Sequence, residues 1–160
     1  IDTRMLMFPD NARKVTAALT SINPALANSV IGLGRPDSVL RVRDHLQNGG
    51  SVGILADRML GEDKSRDIPF LGEPAPFPVG PWRLAAMLAA PVVFMAGCYL
   101  GGNRYQLVFE PIIDFAQVPA EKRASAMQEA QDRFVELLEA RCRQAPWNWF
   151  NFYDFWHAQT

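Results

Sequence analysis

The sequence predicts an α/β fold with a mostly parallel, partly mixed sheet flanked by helices. Short apolar runs typical of strands alternate with segments whose apolar residues recur at helical spacing. The last two predicted strands flank Gly101-Gly102-Asn103, a hairpin turn that adds an antiparallel pair. The 160 residues are expected to form a single domain with its own hydrophobic core.

In the first third of the chain, strands are predicted at residues 4–8, 28–33 and 52–56. Residues 10–21 carry apolar residues at helical spacing, and Pro9 suits the first turn of that helix. A second helix begins at Asp37 or Ser38, either of which can act as N-cap, and ends at Gly49-Gly50. Its His45 lies next to Asp44 and is expected on the exposed, polar side.

The stretch from Val52 to Pro81 holds the strongest indication of a ligand site. The apolar run 52–56 suits a buried strand, and Asp57 and Arg58 follow it directly. A charge-rich loop, residues 61–68, leads into a segment in which five of the chain's 12 prolines lie between Pro69 and Pro81. Because proline fixes φ and favours extended geometry before it, residues 68–79 should form a stiff, non-helical loop. An acid and an arginine at a strand end, followed by a long shaped loop, are typical of ligand sites in open α/β sheets.

The remaining segments complete the α/β pattern. A helix is predicted at residues 82–89, strands at 92–100 and 105–110, and a long amphipathic helix after Pro119. Trp, Phe and Tyr dominate residues 147–156, and Asn148, Asn151 and Asp154 form a polar stripe there. This stripe favours a short helix that covers the core. A surface for an acyl chain and a membrane-interface belt are the alternatives.

Composition excludes several classes of function. A net charge of −1 and a pI near 6.1 give no global field that would attract nucleic acid. The two histidines, His45 and His157, are far apart in the sequence, and no cluster of residues has the spacing of metal ligands. No glycine-rich motif that would bind phosphate follows a predicted strand. We therefore expect no metal, no cofactor and no nucleic-acid partner. Cys98 and Cys142 are expected to be inert core thiols in a reducing compartment.

Four blocks in fixed order resemble the lysophospholipid acyltransferase superfamily. They are GILADR, IPFLGEPAPFPVGPWRLA, APVVFMAGCYLGGNRYQLVFEP and the terminal APWNWFNFYDFW. They are most similar to the branch of lipid A biosynthesis acyltransferases, which add lauroyl or myristoyl chains. The terminal NWFNFYDFW is also similar to relatives from aryl-polyene pathways. The resemblance covers nearly the whole chain, and it implies a glycerolipid acyltransferase-like fold that is incomplete at the N-terminal side.

The resemblance implies transfer of a fatty acyl group from an acyl carrier protein or coenzyme A thioester to a hydroxyl of a lipid or glycolipid acceptor. In this family the proton is handled by a His-x4-Asp/Glu motif. Here the residue five positions after His45 is Gly50, and His157 has no residue five positions on. The chain thus resembles the C-terminal part of such an enzyme and alone should be inactive. The implied location is the cytoplasm, with peripheral contact to the inner membrane left open.

The resemblance also implies where the substrate binds. Asp57-Arg58 matches the acid-plus-polar pair beside the family's acceptor cleft, and a guanidinium suits a phosphate or carboxylate. Arg66 would add positive charge for the same anion, and the Phe and Pro residues would form an apolar surface for an acyl chain. Gly80 would let the backbone approach a ligand closely. The candidate binding residues are Asp57, Arg58, Arg66, Phe70, Gly72, Phe77, Pro78 and Gly80.

Two alternatives to these interpretations remain. Asp57 and Arg58 can be a purely structural ion pair at a strand end, as is common in proteins. The chain can also be a non-catalytic module of the same fold that recognises an acylated carrier or a lipid, since the His motif is absent from it.

Overall fold

The computed structural model describes residues 2–7, 9–24, 26, 29–34, 37–58 and 64–156. Residues 61–63 of the predicted charged loop and His157 lie outside the described residues. Contacts divide the chain into two compact units, Ile1–Leu55 and Ala56–Thr160. Along the chain the elements are β1 (Thr3–Met7), α1 (Pro9–Ile22), β2 (Val30–Gly32), α2 (Ser38–Gln47), β3 (Ser51–Ile54), β4 (Ser65–Phe70), β5 (Glu73–Pro78), α3 (Gly80–Met87), β6 (Pro91–Tyr99), β7 (Tyr105–Asp114) and α4 (Arg123–Gln144).

The first unit is built on a parallel sheet with strand order β2-β1-β3. Leu6 of the central strand is paired with Ile31 on one side and Ile54 on the other. Parallel neighbours need a crossover connection, and α1 and α2 supply it between successive strands. The predicted alternation of strand and helix is confirmed here, including Pro9 at the start of α1. The third strand is present, but the prediction that it is buried is wrong: Ser51 and Val52 are half-buried, and Gly53 and Ile54 are exposed, Ile54 by 38%.

The proline-rich segment forms an antiparallel hairpin, β4–β5, where the sequence analysis predicted an extended loop. Its turn is the residue pair Leu71-Gly72, and both residues have positive φ, 55° and 106°. Two positive-φ residues are the hallmark of the tight hairpin turn that matches strand twist. The prolines occupy alternate pairs of the register: Pro69↔Pro74, Asp67↔Pro76 and Ser65↔Pro78. At such pairs the N–H of an antiparallel strand points away from its partner, so proline removes no ladder hydrogen bond.

A second antiparallel hairpin, β6–β7, follows α3. Gly101 and Gly102 have positive φ and turn the chain, as predicted. Alternation along β6 buries Phe94 and Cys98 on one face, and the other face of the hairpin carries exposed large apolar side chains. These exposed residues are Val93, Met95, Tyr99, Tyr105, Leu107 and Phe109.

The described sheets are therefore one parallel sheet and two antiparallel pairs. The α/β class is confirmed, whereas a mostly parallel sheet is not. The strands after residue 64 form two hairpins, β4–β5 and β6–β7, and hairpin connections impose antiparallel pairing.

The core of the second unit consists of two clusters on α4. One joins Phe70 and Phe77 of the first hairpin to Val135 and Cys142 of α4 and to Phe155. The other joins Trp82 and Ala86 of α3 to Phe115 and Ala130. Because Phe70 and Phe77 have no exposed surface, truncating either to alanine should cost about 3–5 kcal/mol of stability.

His45 is buried, at 7% exposure, so the prediction of an exposed histidine is wrong. It shares a face of α2 with the buried residues Ser38 and Val42, at spacings of seven and three. Its Nε2 lies 3.0 Å from the Asp2 carbonyl oxygen and 3.1 Å from that of Ser51. Two backbone acceptors thus satisfy an imidazole N–H that burial would otherwise leave without a partner.

The predicted terminal helix is also wrong. Residues 145–156, called here the terminal aromatic segment, contain a single 3-10 turn at Pro146–Asn148 and continue without regular structure. Trp149, Phe155 and Trp156 nevertheless pack on the first core cluster, while Trp147 and Phe152 are about nine-tenths exposed. The segment is held by ring packing instead of by helical hydrogen bonds.

Candidate functional site

Asp57 and Arg58 form a close ion pair at the start of the second unit. The Arg58 guanidinium donates from Nε to Asp57 Oδ1 at 3.1 Å and from Nη2 to Asp57 Oδ2 at 2.6 Å. Asp57 is 9% exposed, and the Arg58 side chain is 29% exposed. Both carboxylate oxygens are engaged, which is the two-bond geometry in which arginine and a carboxylate attract most strongly.

The terminal aromatic segment supplies further partners for this pair. The indole Nε1–H of Trp149 donates to Asp57 Oδ2 at 3.4 Å. The hydrogen bond to Asp57 raises the pKa of Arg58, and the nearby Tyr153 contributes in the same direction. Burial raises the pKa of the Tyr153 hydroxyl, Arg58 opposes that shift, and Asp57 adds to it. Asp57, Arg58, Trp149 and Tyr153 therefore form one electrostatic cluster.

This arrangement limits what Arg58 can do. Its Nε–H and one N–H of Nη2 already face Asp57, so one of the edges at which a guanidinium can hold a phosphate is occupied within the chain. Within the described residues, Nη1 donates no hydrogen bond, so its two N–H groups and the second N–H of Nη2 remain for ligand oxygens. The pair is electrically neutral, so it attracts an anion less strongly than an unpaired arginine would.

Arg66 lies apart from this cluster and binds helix α4. Its guanidinium donates to Gln131 Oε1 at 3.1 Å and to the Gln128 carbonyl at 3.1 Å, and it forms an ion pair with Asp132. These contacts fix strand β4 to the helix. Its donors are directed to the protein itself, which is the behaviour of a structural arginine.

Four of the other candidate residues have structural roles in the hairpin. Phe70 and Phe77 are completely buried and Pro78 is buried, so their side chains contribute to the core. Gly72 supplies the positive φ of the hairpin turn. Gly80 differs, because it is exposed and a Cβ there would meet no heavy atom within 4 Å. Packing within the protein does not require glycine at position 80.

Three residues with structural contacts were not predicted individually from the sequence: Gln131, Trp149 and Tyr153. Gln131 is 2% exposed and donates from Nε2 to the backbone carbonyls of Phe77 and Pro78, at 3.3 and 3.1 Å. Its place within the apolar stripe of α4 was the available signal. Trp149 and Tyr153 were recognised only as members of an aromatic segment, and no local pattern indicated contact with Asp57, 92 residues from Trp149.

Two shallow cavities lie elsewhere. One of about 380 Å³ in the first unit is lined by charged groups of β1 and α2, including Asp2, Arg4 and Arg41. The other, of about 520 Å³, lies between β4 and α4, with Val135 and Glu139 in its lining. Neither of these two cavities is lined by Asp57 or Arg58.

Two further features bear on ligands and membranes. Within the ranges that the structure describes, no three His, Cys, Asp or Glu side chains are grouped as they would be around a metal ion. In the same ranges every helix is too short or too polar to span a bilayer.

A protein-family model matches most of the chain. The model of the family described as bacterial lipid A biosynthesis acyltransferase matches residues 33–158, which is more than half of the chain. The matched range contains Asp57, Arg58, both hairpins and the terminal aromatic segment up to Trp156. No individual curated protein matches the chain in a sequence search.

Proposed function

The chain belongs to the bacterial lipid A biosynthesis acyltransferase family, and from this we propose that it is part of an enzyme that transfers a fatty acyl group to a hydroxyl. Family membership suggests acyltransferase activity. The donor we propose is a thioester of acyl carrier protein or coenzyme A. The acceptor we propose is a lipid or glycolipid, such as a lipid A precursor, a lysophospholipid or an aryl-polyene-type lipid. The observation that carries the proposal is the family match over residues 33–158.

The proposed reaction is an acyl transfer. The acceptor oxygen attacks the thioester carbonyl, a new C–O bond forms, and the C–S bond breaks to release the thiol. The hydroxyl proton passes to a general base and then to the leaving thiolate. His45 is followed at the fifth position by Gly50, and we place the base in a His-x4-Asp/Glu motif outside these 160 residues. The chain alone should then transfer no acyl group.

We assign to the Asp57–Arg58 pair the task of positioning the acceptor. Its support is the fixed geometry: a buried carboxylate holds the guanidinium at two nitrogens and leaves the N–H groups of Nη1 and the second N–H of Nη2 for the ligand. Gly80 is the second proposed contact, because its open surroundings permit a ligand to approach the backbone. Arg66, Phe70, Gly72, Phe77 and Pro78 would act indirectly, by shaping and anchoring the β4–β5 hairpin.

Acyl-transfer assays on the full-length protein test this proposal. Lauroyl-acyl carrier protein and lauroyl-coenzyme A would be supplied with a lipid A precursor, and Asp57→Ala and Arg58→Ala compared with wild type. We expect each variant to lose about tenfold or more in kcat/KM, the size of a lost hydrogen bond to a charged group. Arg133→Ala is the matched control, since it removes an exposed arginine of α4 paired with Glu136. Absence of transfer by the wild type, or equal rates in all variants, would refute the proposal.

A non-catalytic module that binds an acylated carrier or a lipid is the second candidate. The observation in its favour is that these 160 residues contain no complete His-x4-Asp/Glu motif. It would bind an acyl carrier thioester in a pull-down while the full-length protein showed no turnover. The enzyme requires both binding and turnover, so the two assays together separate the candidates.

We further propose peripheral contact with the cytoplasmic face of the inner membrane. The support is the exposure of Trp147, Phe150 and Phe152, at 89%, 65% and 92%, because such rings suit the bilayer interface. Sedimentation with phosphatidylethanolamine–phosphatidylglycerol vesicles should decrease clearly in a Trp147→Ser/Phe152→Ser variant. Unchanged sedimentation, or none in the wild type, would contradict this contact.

A further inference from the structure

Two tryptophans of the terminal aromatic segment occupy similar places but have different hydrogen-bond acceptors. The Trp149 ring lies 5.2 Å from the Phe70 ring and 4.9 Å from the Phe155 ring. The Trp156 ring lies 6.2 and 5.5 Å from the same two rings. Trp156 donates its indole N–H to the Phe70 carbonyl at 3.2 Å, whereas Trp149 donates to the Asp57 carboxylate. Trp156 therefore serves as a control for Trp149: both indoles pack on the same two rings, but Trp149 donates to the candidate site.

We propose that Trp149 is a positioning residue for the acyl acceptor, acting through Asp57 on Arg58. This inference rests on the proposed function of the Asp57–Arg58 pair. Asp57 Oδ2 receives both the Trp149 indole N–H at 3.4 Å and Arg58 Nη2 at 2.6 Å. A carboxylate held from two sides cannot rotate freely, and the guanidinium bonded to both of its oxygens is fixed with it.

Burial makes this link consequential. Asp57 is 9% exposed, so few water molecules can replace a protein donor that is removed. Phenylalanine at position 149 would retain the ring packing on Phe70 and Phe155 and remove only the N–H. Arg58 alone would then hold the carboxylate, and the ion pair could reorient as a unit.

The position of Tyr153 fits the same arrangement. The charges of Arg58 and Asp57 both act on the pKa of its hydroxyl, so the phenol belongs to the same cluster. Beside the ion pair, the terminal aromatic segment thus supplies an indole donor and a phenol. The N–H groups that Arg58 does not use on Asp57 suit oxygen acceptors of the acyl acceptor, such as a hydroxyl or phosphate oxygens.

The hydrogen bond itself can be tested without any substrate. In ¹H–¹⁵N NMR spectra of this protein, Trp149→Phe and Trp156→Phe identify the two indole N–H signals. Asp57→Asn should shift the Trp149 signal and leave the Trp156 signal in place. A Trp149 signal that does not respond, or equal shifts of both signals, would overturn the proposed link.

The positioning role is tested by steady-state kinetics of the full-length protein with lauroyl-acyl carrier protein and a lipid A precursor. We expect Trp149→Phe to raise the acceptor KM about tenfold with kcat within about twofold, and Trp156→Phe to change neither. Equal KM values in the two variants would overturn the positioning role alone. A wild type that transfers no acyl group would instead contradict the proposed function, and the NMR comparison would still decide whether the indole binds Asp57.

Discussion

At the scale of single residues, the buried imidazole of His45 depends on a glycine that follows its helix. A Cβ built on Gly50 would overlap the His45 ring at Cε1 and Nε2. Its Nε2 lies within hydrogen-bond distance of two backbone carbonyls, so displacing the ring would break those contacts. The absence of a side chain at position 50 therefore permits the burial.

We accordingly expect Gly50→Ala to lower the free energy of unfolding by about 1–3 kcal/mol, the usual cost of an overpacked core. Gly53→Ala is the control, because nothing lies within 4 Å of a Cβ there. Urea denaturation of both variants measures the difference. Equal stability of the two variants would show that the ring can move at little cost.

Cys142 is a second residue whose surroundings determine its chemistry. Burial raises the pKa of its thiol above the ordinary value of 9.0, to about 11, and the carboxylates of Asp57 and Glu139 add to the shift. Because the thiolate is the reactive form, iodoacetamide should modify Cys142 only when the protein unfolds.

The same pKa shift predicts a pH dependence of stability. The folded state holds the thiol proton more tightly than the unfolded state, so the stabilisation is complete below pH 9.0 and is lost as pH rises through about 11. Denaturation of wild type and Cys142→Ala between pH 8 and about 11 should show a steeper loss in the wild type. Parallel curves would contradict the raised pKa.

At the scale of elements, Glu139 fixes the β4–β5 turn to helix α4. Its carboxylate accepts the backbone N–H of Leu71 at 3.0 Å and pairs with Arg143, and these contacts lower its pKa. The N–H belongs to Leu71, which has the left-handed conformation that residues other than glycine rarely adopt. The helix thus supports the strained half of the turn.

A lowered folded-state pKa gives stability that is present above the ordinary value of 4.5 and lost as pH falls through the folded value. We expect Glu139→Gln to flatten the acid limb of the stability curve below pH 4.5. Glu136→Gln is the matched control, since Glu136 pairs with the exposed Arg133 on the same helix. Acid denaturation followed by circular dichroism makes the comparison, and identical acid limbs in all three proteins would contradict this role.

Helix α3 ends in a left-handed residue that is not glycine. Ala89 has a φ of 48°, its N–H donates to the Ala86 carbonyl, and the Ala90 N–H donates to the Ala85 carbonyl. This is the helix-ending motif in which glycine is preferred. Ala89→Gly should therefore raise the free energy of unfolding by about 0.5–1 kcal/mol. Ala85→Gly, inside the helix, should lower it by about 1 kcal/mol. Calorimetry measures both, and a loss of stability in Ala89→Gly would contradict the assignment.

Elements with clear periodicity were predictable, and the proline hairpin was not. The strands and helices of the first unit follow directly from apolar spacing and helix-end signals. In β4–β5 the prolines suggested a loop, although Ile68 and Phe70 alternate with them, as do Ala75 and Phe77. Only the register shows that every proline falls where no ladder bond is needed.

At the scale of the whole molecule, the sequence predicted the family and the two adjacent residues of the candidate site. It did not predict which distant groups complete that site, because the contact of Trp149 with Asp57 arises from tertiary packing of a segment without regular structure. Periodicity carries no information about such contacts. Arg66 illustrates the converse, since a charge near the site in sequence is bound to α4 in the structure.

We propose that Arg58, held by Asp57, positions the acceptor in an acyltransferase. The most direct measurement is kcat/KM of the full-length protein for acyl transfer, with Arg58→Lys compared with wild type. Lysine keeps the charge but cannot bond both Asp57 oxygens through a planar fork. We expect Arg58→Lys to lose about tenfold or more in kcat/KM. A lysine variant as active as the wild type would contradict the claim.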